Sequence, residues 1–389
     1  MNPPKIFISY SRKDLNDIKL IVRTLMIHGI KTWQDINNLG AGLTEGKIRL
    51  AIRKECSGLT CYCTKTSVKS PIICKIELPE AENRHKNNSR FNIVPIFKLG
   101  TKETAKALRT YLTIPLSNFN GSILKNGKKE EILVASQKAS EIILNNIKFD
   151  MGRPLPIGLV SKQKTTACVA LDMDFTEYFA TGFPSQEVWT DEFIPALECL
   201  KKVLLAKKIT HVRLYSFAHL SFGFMMGYIF RQRTGFKLEI EQLFPTSGFH
   251  QIWSTHKRPT SNPLTIHDFP GEVRSKNLCI KINLMSKDNS AFSNYIKKRR
   301  LTYRALIEVA PRTYPCTISN GQAVTIASEI ASTIKIMHAK YRTDKVHVFA
   351  AIPLGLAMLI GYHLNACGKI QCYEFDNISR EYKPSCILT

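Results

Sequence analysis

Short apolar runs alternate with helix-period patterns along the whole chain. The run KIFISY (5–10) closes on the polar turn SRKD, and over 14–28 the residues Ile18, Ile21, Val22, Leu25 and Met26 fall on one helical face. Gly29 stops that helix, IKTW (30–33) reads as a second strand, KIRLAIRKE as a helix and GLTCYCT as a buried strand. Ser70 and Pro71 have the character of a cap and a first helical position before IICKIEL. FNIVPIF (91–97) supplies one more buried strand, and 129–147 one more amphipathic helix. This βα alternation predicts a parallel sheet covered on both faces.

Residues 148–165 carry proline and glycine without periodicity, which places a linker there between domains at 1–147 and 166–389. Beyond it, ACVALDMDF reads as a buried strand, 191–206 as a helix, HVRLYSFAHLSFGFMMGYIFRQ as strand–turn–helix and KLEIEQL as a strand. A polar, proline-bearing excursion spans 255–275. NLCIKINLM then opens a second round through a helix at 321–341, KVHVFAAIPLGLAMLIGYHLN and KIQCYEFD. The segments 211–232 and 346–365 resemble each other: a strand, a small-residue turn, then an apolar helix with Gly and Tyr. They predict an internal duplication, with two similar α/β halves at about 166–256 and 275–389.

A chain of 389 residues exceeds one comfortable core, consistent with this division. The balance of 55 Lys+Arg against 31 Asp+Glu gives +24 and favours polyanionic partners: nucleic acid, a membrane surface, or a small multiply phosphorylated ligand. Many of the eleven cysteines sit inside apolar runs, as free thiols of a reducing compartment do. Cys56, Cys61, Cys63 and His85 lack the CxxC spacing of a zinc site, so no metal is expected. MNPPKIF lacks a secretory layout, and the longest apolar run is broken by Pro353 and two glycines. A cytoplasmic protein without membrane insertion is the expectation.

FISYSRKD, TWQDINNLGAG and SPIICKIEL, in this order and with NIVPIF following, resemble the TIR domain over about residues 4–147. The resemblance implies a flavodoxin-like parallel-sheet fold. It also implies cleavage of NAD at the nicotinamide–ribose bond, as in some TIR domains of bacterial defence, with NAD as substrate and no further cofactor. One carboxylate suits that chemistry. Departing nicotinamide leaves an oxocarbenium-like ribosyl cation that an adjacent carboxylate stabilises, and the neutral leaving group needs no acid. Carried residue by residue, Glu77 falls on the catalytic position. Tyr10, Ser11 and Arg12 fall on the turn lining the nucleotide, Trp33 and Asp35 on the aromatic–x–Asp pair, and Cys74 on the cysteine before the glutamate. Trp33 would stack on a base or the pyridine ring, or else pack in the core. Ile73 replaces the family's usual tryptophan, and Pro79 withholds a hydrogen bond from the Lys75 carbonyl.

LYSFAHLSFGFMMGY, HVFAAIPLGLAMLIGYHLN and IQCYEFD resemble the SAVED domain over roughly 166–389, two fused Rossmann-like halves related to CARF sensors. TIR–SAVED fusions are effectors of bacterial anti-phage signalling (CBASS). The resemblance implies a cyclic oligonucleotide activator, an adenine trinucleotide ring, and a functional link to the synthase that makes it. It further implies ligand-driven self-association into oligomers or filaments. Open α/β sheets bind ligands beyond their strands' carboxyl ends. That rule selects Ser216, Phe217, Ala218 and His219, Ser286 and Lys287, and Ala351, Ile352 and Pro353, with helix-start N–H groups suited to phosphate. Trp253, Lys257 and Arg258 offer a stacking ring with two cations. Two rivals stay open: a non-catalytic TIR scaffold assembling on the messenger, and, from charge alone, a double-stranded nucleic-acid sensor.

Overall fold

The computed structural model describes residues 3–34, 44–150, 153–162, 167–244, 249–258, 260, 264–285, 290–313, 316 and 318–389. The chain divides into two compact units: Met1–Asp150 with Cys168–Phe175, and Met151–Ala167 with Thr176–Thr389. Each is α/β.

The first unit holds strands β1 (Lys5–Ser9), β2 (Lys31–Trp33), β3 (Gly58–Cys63), β4 (Asn92–Phe97) and β5 (Ser122–Ile123). They form one sheet in the order β2-β1-β3-β4-β5, every pair parallel. This is the flavodoxin-like arrangement, whose order reverses between β1 and β3. β3 is buried at all six positions because helices cover both its faces, so its sequence shows no polar alternation. The helix Leu15–Ile27 buries Ile18, Ile21, Val22 and Leu25, four of the five residues read as its apolar face.

The second unit repeats a plan. β8 (His211–Phe217) is followed after two residues by the helix Leu220–Ile229. β14 (Lys345–Ala351) is followed after two residues by the helix Leu354–His363. β9 (Lys237–Phe244) and β15 (Lys369–Asp376) come next, each paired with an antiparallel neighbour, β10 (Phe249–Ser254) and β16 (Glu381–Leu388). Within this unit one sheet runs β10-β9-β8-β6, with β6 at Leu155–Val160; β7 (Leu171–Asp174) is counted with the first unit. The other runs β11-β13-β12-β14-β15-β16, with β11 (Leu264–Pro270), β12 (Asn277–Asn283) and β13 (Ala305–Pro311). The chain turns identically past the first strand of each half. Ser161 and Lys162 both donate backbone N–H to the Phe217 carbonyl, and Leu284 and Met285 both donate to that of Ala351.

The two ten-residue helices pack on each other reciprocally. Gly223-x-x-x-Gly227 faces Ala357-x-x-x-Gly361, a small-residue spacing that lets backbones touch. A methyl group at Gly227 would overlap the Met358 carbonyl oxygen, and one at Gly361 that of Phe224. By position Gly227 matches Gly361 and Phe224 matches Met358, so each contact has its mirror image. Contacts advance in the same direction along both helices, from Gly223 beside Leu354 and Ala357 to Gly227 beside Met358 and Tyr362. The helices are therefore parallel, and both amino termini lie at one end.

Six strands escaped the sequence reading, β5, β6, β10, β11, β13 and β16, and two of them lie in segments read as something else. β6 lies inside the residues read as a linker, because Pro156 and Gly158 depress strand propensity while five of its six positions are buried. β11 lies inside the polar excursion, where an edge strand needs only one packed face.

Gly227→Ala is expected to cost the second unit about 3 kcal/mol through backbone overlap, lowering its thermal midpoint by roughly 6–12 °C. Gly46→Ala is the contrast: this glycine sits in the helix Thr44–Leu50 with nothing near a new methyl, and should stabilise the first unit by about 0.5–1 kcal/mol. An unchanged midpoint in Gly227→Ala would contradict the packing. Acid sensitivity follows from two buried histidines. His28 donates Nδ1–H to the Thr24 carbonyl at 2.7 Å, and His347 meets the Tyr373 hydroxyl at 2.8 Å. Burial lowers both to about 4. The unfolded chain then protonates first, so their stabilisation is complete above about pH 6.5 and is lost as pH falls toward 4. Each should cost about 2 kcal/mol at pH 5, read as a lower urea midpoint than at pH 7.5.

Candidate functional site

In the first unit the helix that begins after Ser70 runs on to Asn87, but Ile73–Glu77 forms a wide π-type turn. Pro79 explains the widening: it has no N–H for the Lys75 carbonyl, and its ring clashes with a regular turn there. The Leu78 N–H instead reaches the Ile73 carbonyl. Of the two other π-type turns among the described residues, Trp189–Phe193 also has a proline, Pro195, two residues after it, and Ala51–Glu55 has none.

The widened turn carries Glu77 inward. Ser9, the last residue of β1, donates its hydroxyl to Glu77 Oε2 at 2.6 Å, and both side chains are buried. Glu77 is thus held at the carboxyl end of β1, beside the point where the strand order reverses. Two nearby carboxylates have other employment. Glu80 accepts from Arg53 Nε at 2.6 Å and Arg49 Nη1 at 2.9 Å, and the Arg53 bond holds its carboxyl below the usual range. Glu82 accepts from the Thr113 and Ile114 backbone N–H groups at 2.9 and 2.5 Å. The Ser9 hydroxyl orients the Glu77 carboxylate.

Ser11 accepts from the Lys13 N–H at 3.4 Å and Arg12 is exposed, both on the turn after β1, where Tyr10 is buried. Asp14 closes that turn onto the loop after β3, accepting from Thr64 and Thr66 hydroxyls at 2.7 and 2.9 Å. Cys74 donates its thiol to the Val68 carbonyl at 3.2 Å, and burial, with Cys61 and Glu77 nearby, pushes it up to about 11. It is a packing thiol rather than a thiolate. Trp33 takes the core alternative: it is 3% exposed, its indole stacked on Phe7 at 4.7 Å, so it offers no platform to a base. Ile73 joins the same core. Asp35 lies outside the described residues.

In the second unit the parallel helices bring the expected strand ends together on one face. Ser216, Phe217, Ala218 and His219 stand at the end of β8, and Ala351, Ile352 and Pro353 at the end of β14. Ser286 and Lys287 lie outside the described residues. His219 is held by the Ser161 hydroxyl at 2.8 Å and stacked on Phe179 at 4.0 Å. Burial, then the charge of Lys162, lowers it to about 3, so it is a neutral ring. The first helix amides are already engaged, which corrects the expectation that they await phosphate. Glu374 accepts from Leu220 and Ser221 N–H at 3.1 and 2.9 Å, and Gln242 accepts from Gly355 N–H at 3.0 Å. These pairs are again mirror images, since Gln242 and Glu374 hold matching places in β9 and β15.

Trp253, Lys257 and Arg258 do not join that face. Trp253 is fully buried, its ring against Gly355 and Nε1 donating to Gln251 at 2.9 Å. β10 runs antiparallel, so it carries the chain back to the amino ends of the parallel strands. There Thr255 N–H meets the Leu238 carbonyl, and the charges of Lys237 and His211 reach His256. Exposed Lys257 and Arg258 follow at that opposite end. Ser9, Ser161, Lys162 and Phe179 went unselected. Ser9 ends a strand that the sequence shows and was open to the strand-end rule; Ser161 and Lys162 follow β6, which lay inside the residues read as a linker, and Phe179 left no sequence signal. Among the described residues, no group of three or more His, Cys, Asp or Glu could hold a metal, and no helix is long and apolar enough to cross a membrane.

Comparison with known families fits this geometry. Residues 6–124 match the model of the TIR domain, and 197–388 that of the SMODS-associated and fused to various effectors sensor domain, SAVED. Among solved structures, the chain is similar to the Acinetobacter baumannii Cap4 SAVED/CARF-domain containing receptor with the cyclic trinucleotide 3'3'3'-cAAA. The identity is 17%, covering 90% of this chain and 86% of that one, with a TM-score of 0.51. The same receptor with 2'3'3'-cAAA gives 16%, 90% and 86%, and 0.50. At these identities the likeness is one of fold. No curated protein sequence matches. With a flavodoxin-like sheet bearing Glu77 at its switch point and a duplicated α/β unit later in the chain, the chain belongs to the TIR–SAVED fusions.

Proposed function

We propose that this protein is a cyclic-oligonucleotide-activated NAD+ glycohydrolase of anti-phage defence. The observation that carries the reading is the Ser9–Glu77 hydrogen bond at the β1/β3 switch point, beside two carboxylates committed to structural bonds. NAD+ lies over the carboxyl ends of β1 and β3, with the turn Tyr10–Arg12 along the nucleotide. As the bond from ribose C1' to the nicotinamide nitrogen breaks, its electron pair leaves with nicotinamide. Positive charge grows on the ribose beside the Glu77 carboxylate, and water completes hydrolysis to ADP-ribose. Ser9 is a positioning residue that fixes the carboxylate's rotamer before the charge develops.

The activator lies on the common face of the SAVED unit. Phe217–His219 and Ala351–Pro353 give it close backbone approach, and exposed Lys162 supplies a cation. The bound Cap4 receptors contain cyclic triadenylates, which suggests that class of ring here. Copies carrying the ligand associate, and NAD is depleted in the bacterial cytoplasm where a partner synthase makes the messenger.

Purified protein incubated with NAD+ and cyclic triadenylate should release nicotinamide, and much less without the ring. Glu77→Gln should lower release by about 10²- to 10³-fold, and Ser9→Ala by roughly tenfold in kcat with KM little changed. Lys162→Ala should raise the half-activating ligand concentration by roughly tenfold. Ligand binding without nicotinamide release would favour the scaffold reading. Release that survives Glu77→Gln would remove the catalytic assignment.

A further inference from the structure

The ends of the paired helices opposite the strand-carboxyl face, with the helix Asn320–Tyr341, border a half-open cavity of about 400 Å³. Its lining includes Arg231 and Arg233 from the first half and Ser328, Ser332, Lys335 and His363 from the second, and none of its lining residues is acidic. Two of the cations are set in place. Arg231 stacks over the Tyr228 ring at 4.3 Å and donates Nη1 to the Tyr228 carbonyl at 3.3 Å. Arg233 donates Nη1 to Asn365 Oδ1 at 3.1 Å. Arg231 Nε and His363 Nε2 are buried and have no hydrogen-bond partner among the described residues.

Cations near helix carboxyl ends have an ordinary use, since each end carries about half a negative charge. Two such ends account for roughly one unit, against three formal positive charges from Arg231, Arg233 and Lys335. About two units of positive charge are left, matching a phosphate monoester. The volume exceeds what one phosphate fills and lies in the range of pockets for small organic ligands, about 300–1,000 Å³.

We infer that this cavity is a second ligand site, distinct from the strand-carboxyl face, that takes a phosphate monoester of nucleoside size. The phosphate bridges Arg231 and Arg233 of one half to Lys335 of the other. The hydroxyls of Ser328 and Ser332 offer hydrogen bonds to its oxygens. Occupancy fastens the two halves at the end away from the cyclic-oligonucleotide face.

Calorimetric titration of the full chain with adenosine monophosphate, inorganic phosphate and adenosine tests this. The monophosphate should bind, more weakly as salt rises from 50 to 200 mM, phosphate at least tenfold more weakly, and adenosine not measurably. Arg233→Gln and Lys335→Gln, both exposed positions, should each weaken monophosphate binding by roughly tenfold without moving the ligand-free thermal midpoint. No binding of the monophosphate would overturn the proposal, as would equal binding by adenosine or by phosphate alone. Binding that survives both substitutions would place the nucleotide elsewhere and overturn it too. The readout does not involve NAD or Glu77, so the proposed activity and this site stand or fall separately.

Discussion

The backbone contact between the helices Leu220–Ile229 and Leu354–His363 constrains everything else in the SAVED unit. It exists because Gly223, Gly227 and Gly361 have no side chain where the partner's carbonyls arrive. Held parallel at that separation, the helices turn both sets of strand ends to one side and gather their own carboxyl ends on the other. The face formed by the strand ends and the basic cavity are the two outcomes of one packing decision. Gln242 and Glu374 secure it by reaching across to the partner half's helix. Burial pushes the Glu374 carboxyl up even as two amides favour its charge, so this tie works against a solvation cost.

The TIR unit gives three neighbouring carboxylates different partners. Within six residues the chain places Glu77, Glu80 and Glu82 on a single helix, and their fates are decided by what each meets. Glu80 meets two guanidinium groups, Glu82 meets backbone amides, and Glu77 meets the Ser9 hydroxyl. Pro79, which as a sequence feature looked like a threat to the helix, accounts for the wide turn that carries Glu77. Helix distortions of this type gather at functional sites because they redirect a side chain without ending the helix.

Much of this was legible in the sequence. The alternation of apolar runs with helical periodicity marked most of the elements, and 211–232 against 346–365 revealed the duplication. Local pattern sufficed there because burial on both faces or on one stripe writes directly into the residue order. It failed where the deciding contact lies far along the chain. Trp33 and Trp253 look like binding aromatics until Phe7 and Gly355 are found against them. Lys257 and Arg258 lie at the wrong end because β10 runs antiparallel, which no residue between 249 and 258 announces. The mirror relation of Gln242 and Glu374 is equally invisible, since an amide and a carboxylate do not look like copies.

That last difference has a consequence for recognition. Two identical subunits around an axis must change in step, so any surface they share is read twice in the same letters. A duplicated gene fused into one polypeptide is free of that rule. Here one half answers with an ionisable group where the other answers with a neutral one, and His219 of one half stands where Pro353 stands in the other. Such a divided surface need not offer the same groups twice to whatever meets it.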